Sequence, residues 1–161
     1  MSNYIHPTAL IGPNVIIEDD CYIGPYCVIG FPPEWKGHES EDMGVIIKRG
    51  SRLTGLVTVD TGVDSKTVIG EDCYLMKHSH VGHCAYLGKG VIVSCGAKIG
   101  GHCTIGEGVN LGLNSVVHQW VSIARSCMIG MGAVITKKTE LLPGMKYAGN
   151  PARCLGENKK P

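Results

Sequence analysis

Aromatic side chains are scarce in this chain. They make up 6% of 161 residues, with one phenylalanine, Phe31, and two tryptophans, Trp35 and Trp120. A broad core built on stacked rings is therefore excluded, and the interior must be thin and aliphatic. Charge of one sign is also lacking. A formal net charge of +1 gives no strong field to draw nucleic acid or an anionic membrane surface. No apolar run reaches the ~18 residues that a bilayer-spanning segment needs. Met1 to Ile5 has no basic-then-apolar leader, so secretion is not expected. These absences leave a single domain by length, with cytoplasmic location, no nucleic-acid partner and no membrane insertion as the expectation.

What the chain has in abundance is a period of six. Ile69, Leu75, Val81, Leu87, Val93, Ile99, Ile105, Leu111, Val117, Ile123, Ile129 and Ile135 are all Ile, Leu or Val. Glycine follows directly at positions such as Gly82, Gly88, Gly100 and Gly106, and a shorter ladder runs Ile5, Ile11, Ile17, Ile23, Ile29. Neither an α-helix nor an ordinary two-faced strand repeats every six residues. A triangular parallel β-helix does, with one short strand per side and three sides per coil. About seven coils are expected, each rising by roughly 4.8 Å, the strand spacing.

Eight cysteines would suggest disulfides in a secreted chain. The repeat argues against that. Cys21, Cys27, Cys73, Cys103 and Cys127 all fall four residues after a ladder position. The other residues at that offset are mostly small, including Ser79, Ala85, Ala97, Ser115 and Ala133. The offset therefore reads as an inward slot, with cysteine as a small packing group in a reducing compartment.

The phase of the ladder breaks between Ile29 and Ile69. The stretch Phe31 to Met43, with Pro32, Pro33 and an acidic cluster, reads as a loop thrown out of the coil near residues 31–44. Val45, Val57 and Val63 match the later phase, so coils are expected to resume near residue 45, with a smaller excursion at 62–66. Leu141 and Tyr147 are still in phase; Pro143, Gly144 and Pro151 then end the regular repeat. The organisation expected is one all-β domain over 1–156 and a short polar tail over 157–161.

Counting by eighteen identifies residues that stack on one face. His83, Gly101 and Gln119 share a column. His102 and His118 lie one residue from it, and His80 is on the same strand as His83. Four histidines thus fall in a patch about 10 Å high. Singly, each reads equally well as a solvated corner residue. Grouped around a glycine, they suggest chemistry. A histidine is the natural general base near neutrality, and a bare backbone N–H on the next coil can hold an oxyanion. Those are the parts for direct acyl transfer from a thioester.

Several segments resemble the hexapeptide-repeat UDP-N-acetylglucosamine O-acyltransferases. They are Met76-Lys77-His78-Ser79-His80-Val81-Gly82-His83, Gly100-Gly101-His102, Val117-His118-Gln119-Trp120, His6-Pro7-Thr8-Ala9 and Tyr147-Ala148-Gly149-Asn150-Pro151-Ala152. The resemblance implies a left-handed parallel β-helix and a homotrimer with clefts between subunits. It implies His83 as catalytic base and Gly101 as oxyanion donor. His80, His102, Gln119, His118, Glu34 and Lys36 would bind a nucleotide sugar. Met131, Asn150 and Arg153 would lie along an acyl donor, acyl-CoA or acyl carrier protein, with no bound cofactor or metal. Lys137, Lys138 and Lys146 are further candidates for donor phosphates.

Three departures bear on substrate. The residue after the base, aspartate in that family, is Cys84 here. The family carries a C-terminal helical domain after the β-helix, and no counterpart of it is expected in the few residues that follow Gly156 here. Met131 stands where long-chain enzymes keep a small residue, which implies a short acyl group. The alternative is a zinc-dependent hydratase like the γ-type carbonic anhydrases, using His78, His80, His83, His102 and His118.

Overall fold

A computed structural model describes residues 2–36, 39 and 41–159. It holds 22 strands and, among the described residues, no helix. Consequently no helix is long and apolar enough to cross a membrane. Most strands are two residues long, and they stack into three parallel faces of a prism. The first face runs from Tyr4–Ile5 to Met145–Gly149, the second from Leu10–Ile11 to Val134–Ile135, the third from Val15–Ile17 to Ser122–Ile123. An antiparallel hairpin, Met145–Gly149 with Ala152–Glu157, adds the last strand to the first face.

The hexad sets this geometry directly. In a strand, successive side chains point to opposite sides. The second residue of each pair is the ladder residue and points inward: Ile23, Leu53, Leu75, Leu111 and Ile129 are fully buried. Each such side chain contributes about 1.5–3 kcal/mol by leaving water. The following glycine permits the corner to stack. A Cβ on Gly100 would lie 2.5 Å from the backbone N of Gln119, one coil on.

The small-residue slot is occupied as expected. Cys21, Cys27, Cys73, Cys103 and Cys127 are buried and all cysteines are free thiols. Their sulfurs donate to carbonyls of a neighbouring coil, as Cys73 does to Gly88 at 3.2 Å and Cys103 to His118 at 3.1 Å. Burial lifts these thiols, Cys73 to about 11, so they are unreactive packing groups.

The ladder between the two excursions differs from the expectation. Ile47, Leu53 and Val59 are the inward rungs, pairing with Ile69, Leu75 and Val81. Val45 and Val57 are buried too, but off the rung. Partner strands lie 18 residues apart in the later coils, as Leu75 and Val93 do. Ile23 and Leu53 are 30 apart and Leu53 and Leu75 are 22 apart. The large loop therefore adds twelve residues, two whole hexads, and leaves the phase unchanged. The small excursion around Gly62–Lys66 adds four and shifts it. At the other end, the last strand runs to Glu157, and Asn158 donates to the carbonyls of Gly144 and Ser126. The first residues of the expected tail are thus bound to the coil.

Candidate active site

The candidate site lies on the edge between the second and third faces, where three corners stack. They follow the strands His80–Val81, Lys98–Ile99 and Val116–Val117 and carry His83-Cys84, Gly101-His102 and Gln119-Trp120. Backbone hydrogen bonds tie the corners: His102 N–H donates to the His83 carbonyl at 2.8 Å, Trp120 N–H to the Gly101 carbonyl at 2.9 Å. The turn residue at each corner, Cys84, His102 and Trp120, has φ of 58°, 57° and 65°. The other two edges place glycine at several equivalent positions, Gly90, Gly96, Gly108 and Gly132. This column has none, although left-handed backbone costs a side-chain-bearing residue roughly 1–2 kcal/mol. Such strain concentrates where function holds it.

Rings fill the edge. Trp35 stacks on His83 at 6.1 Å, His83 meets His102 edge-on at 4.9 Å, and His102 lies flat on Trp120 at 3.8 Å. Glu34, Trp35, His83, His102, Gln119 and Trp120 line a cleft of about 420 Å³. The Phe31–Met43 loop thus returns Glu34 and Trp35 over the histidine column. Gly101 sits against the His83 ring, where a Cβ would lie 2.6 Å from Nε2. Among the described residues the Gly101 N–H has no backbone acceptor. His83 Nδ1 is buried and has no hydrogen-bond partner among them either. Burial, and then the neighbouring His102, lowers the His83 pKa from its ordinary 6.5. The ring is therefore neutral near pH 7 and able to accept a proton.

Two carboxylates complete the surroundings. Asp60, at the end of its strand, approaches His80 Nε2 at 3.6 Å, while His80 Nδ1 meets Thr58 Oγ1 at 2.7 Å. Burial, and then the charge of Glu34, raises Asp60 to about 7. Asp64, on the four-residue excursion, accepts from Cys84 Sγ at 3.1 Å and lies 3.9 Å from His102 Nε2. The Cys84 contact is the main reason its carboxyl is held below the ordinary 3.8.

Of the sequence-derived residues, Glu34, His83, Gly101, His102 and Gln119 come together. His80 stands beside the cleft with Asp60. Lys36 is not part of the cleft lining. His118 and Arg153 line a second cleft of about 460 Å³ with Thr136, Lys137, Lys138 and Pro151. Asn150 is exposed in the terminal hairpin. Met131 follows a strand of the first face and is 74% exposed, on a different edge from His83. Sequence reasoning missed Asp60, Asp64, Trp35 and Trp120 as site residues. One signal was available: the chain's only two tryptophans both enter this cleft.

A parallel triangular coil with a histidine-lined edge defines a hexapeptide-repeat β-helix protein. The chain matches two repeat models, one described as bacterial transferase hexapeptide (six repeats) over 2–31 and 66–101, the other as hexapeptide repeat of succinyl-transferase over 103–137. It belongs to the hexapeptide-repeat family. It is 26% identical to an acyl-[acyl-carrier-protein]--UDP-N-acetylglucosamine O-acyltransferase of Campylobacter concisus, over 92% of this chain and 62% of that protein. It is 30% identical to the enzyme of that name from Burkholderia orbicola, over 88% and 55%. The chain thus spans little more than half the length of the curated relatives it matches. A crystal structure of a UDP-N-acetylglucosamine acyltransferase from Bacteroides fragilis superposes with a TM-score of 0.92, at 26% identity, covering 98% of this chain and 62% of that one. The coil is left-handed, as in that fold.

The hydratase alternative is not supported. These relatives are acyltransferases, and among the described residues the group of three candidate ligand residues takes only His83 and His102 from the five candidate histidines, with Cys84 as the third.

Proposed function

We propose that this protein transfers an acyl group from a thioester to a hydroxyl or amine of a nucleotide-linked sugar. The observation that carries the reading is the pairing of a neutral, half-buried His83 with the N–H of Gly101 on the next coil, which has no backbone acceptor among the described residues. His83 removes the acceptor's proton as its oxygen or nitrogen attacks the thioester carbonyl. The Gly101 N–H holds the tetrahedral oxyanion. Collapse expels the thiolate, which takes the proton from His83.

Glu34, His80, His102 and Gln119 bind the acceptor in this reading, with Trp35 and Trp120 as flat walls and Lys36 reaching from the loop. The second cleft takes the donor arm: Lys137, Lys138 and Arg153 suit its phosphate, His118 lines it, and Asn150 directly precedes its lining residue Pro151. The names of the relatives favour acyl carrier protein over CoA as donor and UDP-N-acetylglucosamine as acceptor. Met131 stands on a different edge, so its contact with the acyl chain requires a neighbouring subunit. A homotrimer with clefts between chains is therefore part of the proposal. In this reading one β-helix unit over 1–156, in the cytoplasm, carries the site, with 157–161 as its polar tail.

The test is a turnover screen by mass spectrometry, with nucleotide sugars and amino sugars against acyl carrier proteins and acyl-CoAs of graded length. Transfer to a nucleotide sugar, lost in His83→Ala, is expected. No transfer to any nucleotide sugar sinks the reading. Short chains are expected to dominate, with Met131→Gly extending the range; efficient transfer of 14-carbon chains by the unmodified protein overturns the short-chain assignment.

A further inference from the structure

Cys84 stands beside His83, and its surroundings point to a ligand the acyl-transfer chemistry does not use. One donor atom each from His83, Cys84 and His102 lies within 4.8 Å of the others. A zinc ion with bonds of about 2.0–2.3 Å needs its donors roughly 3.5 Å apart, so small side-chain rotations suffice. The Asp64 carboxylate faces two of the three, at 3.1 Å from Cys84 Sγ and 3.9 Å from His102 Nε2. It stands outside the mutually close group but is exposed and free to swing in, which makes it the candidate fourth donor.

The Val63 N–H donates to Cys84 Sγ at 3.3 Å, which holds the sulfur beside Asp64. One further observation points to a cation. His83 Nδ1 is buried with no partner among the described residues, which leaves the ring without a hydrogen bond to fix its orientation. The donor set is two imidazoles, a thiolate and a carboxylate. That combination suits a borderline-soft divalent ion rather than magnesium or calcium, which take oxygen ligands.

We propose that His83, Cys84, His102 and Asp64 form a binding site for a zinc-class divalent cation, and that its occupancy excludes the acyl-transfer substrates. The cation is a competitor and not a cofactor. On binding, the Cys84 thiol gives its proton to solvent and the His83 ring loses its role as proton acceptor. The second half of the proposal rests on the acyl-transfer reading; the first half does not.

The test uses Co²⁺ as a spectroscopic probe in the intact protein. A Cys95→Ser, Cys154→Ser background removes the two exposed thiols. One equivalent of Co²⁺ is expected to give a thiolate-to-cobalt charge-transfer band with intense visible bands of tetrahedral type. Losing even an outer-shell partner costs a metal site about 10–100-fold in affinity, so Cys84→Ser should weaken binding at least tenfold and abolish the charge-transfer band. Thermal melts of the variant confirm that it is folded, and Asp64→Asn, on the exposed excursion, gives a second variant, expected to weaken binding with the band retained. No band in the background protein, or a band that survives Cys84→Ser, overturns the site. In parallel, stoichiometric Zn²⁺ should suppress acyl transfer, with recovery on adding EDTA. Full transfer at saturating Zn²⁺ overturns the exclusion. A Cys84-dependent band in a protein that transfers no acyl group supports the site and removes the acyl-transfer reading instead.

Discussion

Gly101 lies so close to His83 that a Cβ at residue 101 would sit 2.6 Å from His83 Nε2 and 2.7 Å from Cε1. At residue 101 the next coil therefore offers the imidazole bare backbone. Gly101→Ala forces the ring aside and misaligns the N–H. Loss of one oxyanion donor costs about 10²–10³ in kcat, and a decrease of that order is expected with the melting temperature nearly unchanged. Steady-state kinetics beside a thermal melt check it; activity within a factor of two of the parent removes Gly101 from the mechanism.

Burial and His102 hold the His83 pKa below 6.5. A base with a lowered pKa stays deprotonated to lower pH, so the acid limb of the kcat/KM profile is expected below that value. His83→Ala should lower kcat by about 10²–10⁴ and abolish the limb. A limb above 6.5 in the parent contradicts the assignment.

Asp60 makes an opposite, structural prediction. Its folded carboxyl titrates near 7, raised first by burial and then by Glu34. Because the folded value exceeds the unfolded one, the folded chain holds an extra proton between about 4 and 7. Stability from this group is complete below that window and is lost as pH rises through about 7. Asp60→Asn stays neutral throughout, so it should melt higher than the parent at about pH 8 and alike at about pH 4. Equal melting at both pH values shows the carboxyl to be solvated.

Ser79 and Ser115 occupy the small inward slot, fully buried, and their hydroxyls have no partner among the described residues. Alanine fills the same slot at Ala85, Ala97 and Ala133. An unsatisfied buried hydroxyl costs about 1–3 kcal/mol, so Ser79→Ala and Ser115→Ala are each expected to stabilise by about 1 kcal/mol in urea denaturation. Destabilisation of that size reveals a hydrogen bond the hydroxyls make.

The three faces and the cysteine slot were legible because each depends only on spacing. From Ile69 to Ile135 nothing is inserted, so counting by eighteen put His83, Gly101 and Gln119 on one edge correctly. The same count failed upstream for a physical reason. An excursion leaves the wall of the coil, and the coils on either side still stack whatever its length. Periodicity then registers only the remainder after division by six. The twelve-residue loop left no trace in phase, and the four-residue excursion left all of it. That is why the phase break belonged to Gly62–Lys66, and why Asp64 could not be placed opposite Cys84. Glu34 and Trp35 were equally beyond arithmetic, since a loop's return path depends on its contacts and not its length. His118 lies one residue from the column, as counted, but lines the neighbouring cleft: one residue along a corner is enough to turn a side chain to another cleft.

The column Cys84, His102 and Trp120 sets stability and activity in opposition at single positions. Each holds a φ that glycine adopts freely, and each presents a thiol or a ring to the cleft or its edge. Glycine there would relax the backbone by up to about 1–2 kcal/mol and empty part of the site. Selection for heat resistance alone would therefore drift toward a sturdier coil with a barer cleft. Any effort to harden this protein should draw its substitutions from the other two edges, where glycine already alternates with side chains and no cleft depends on the choice.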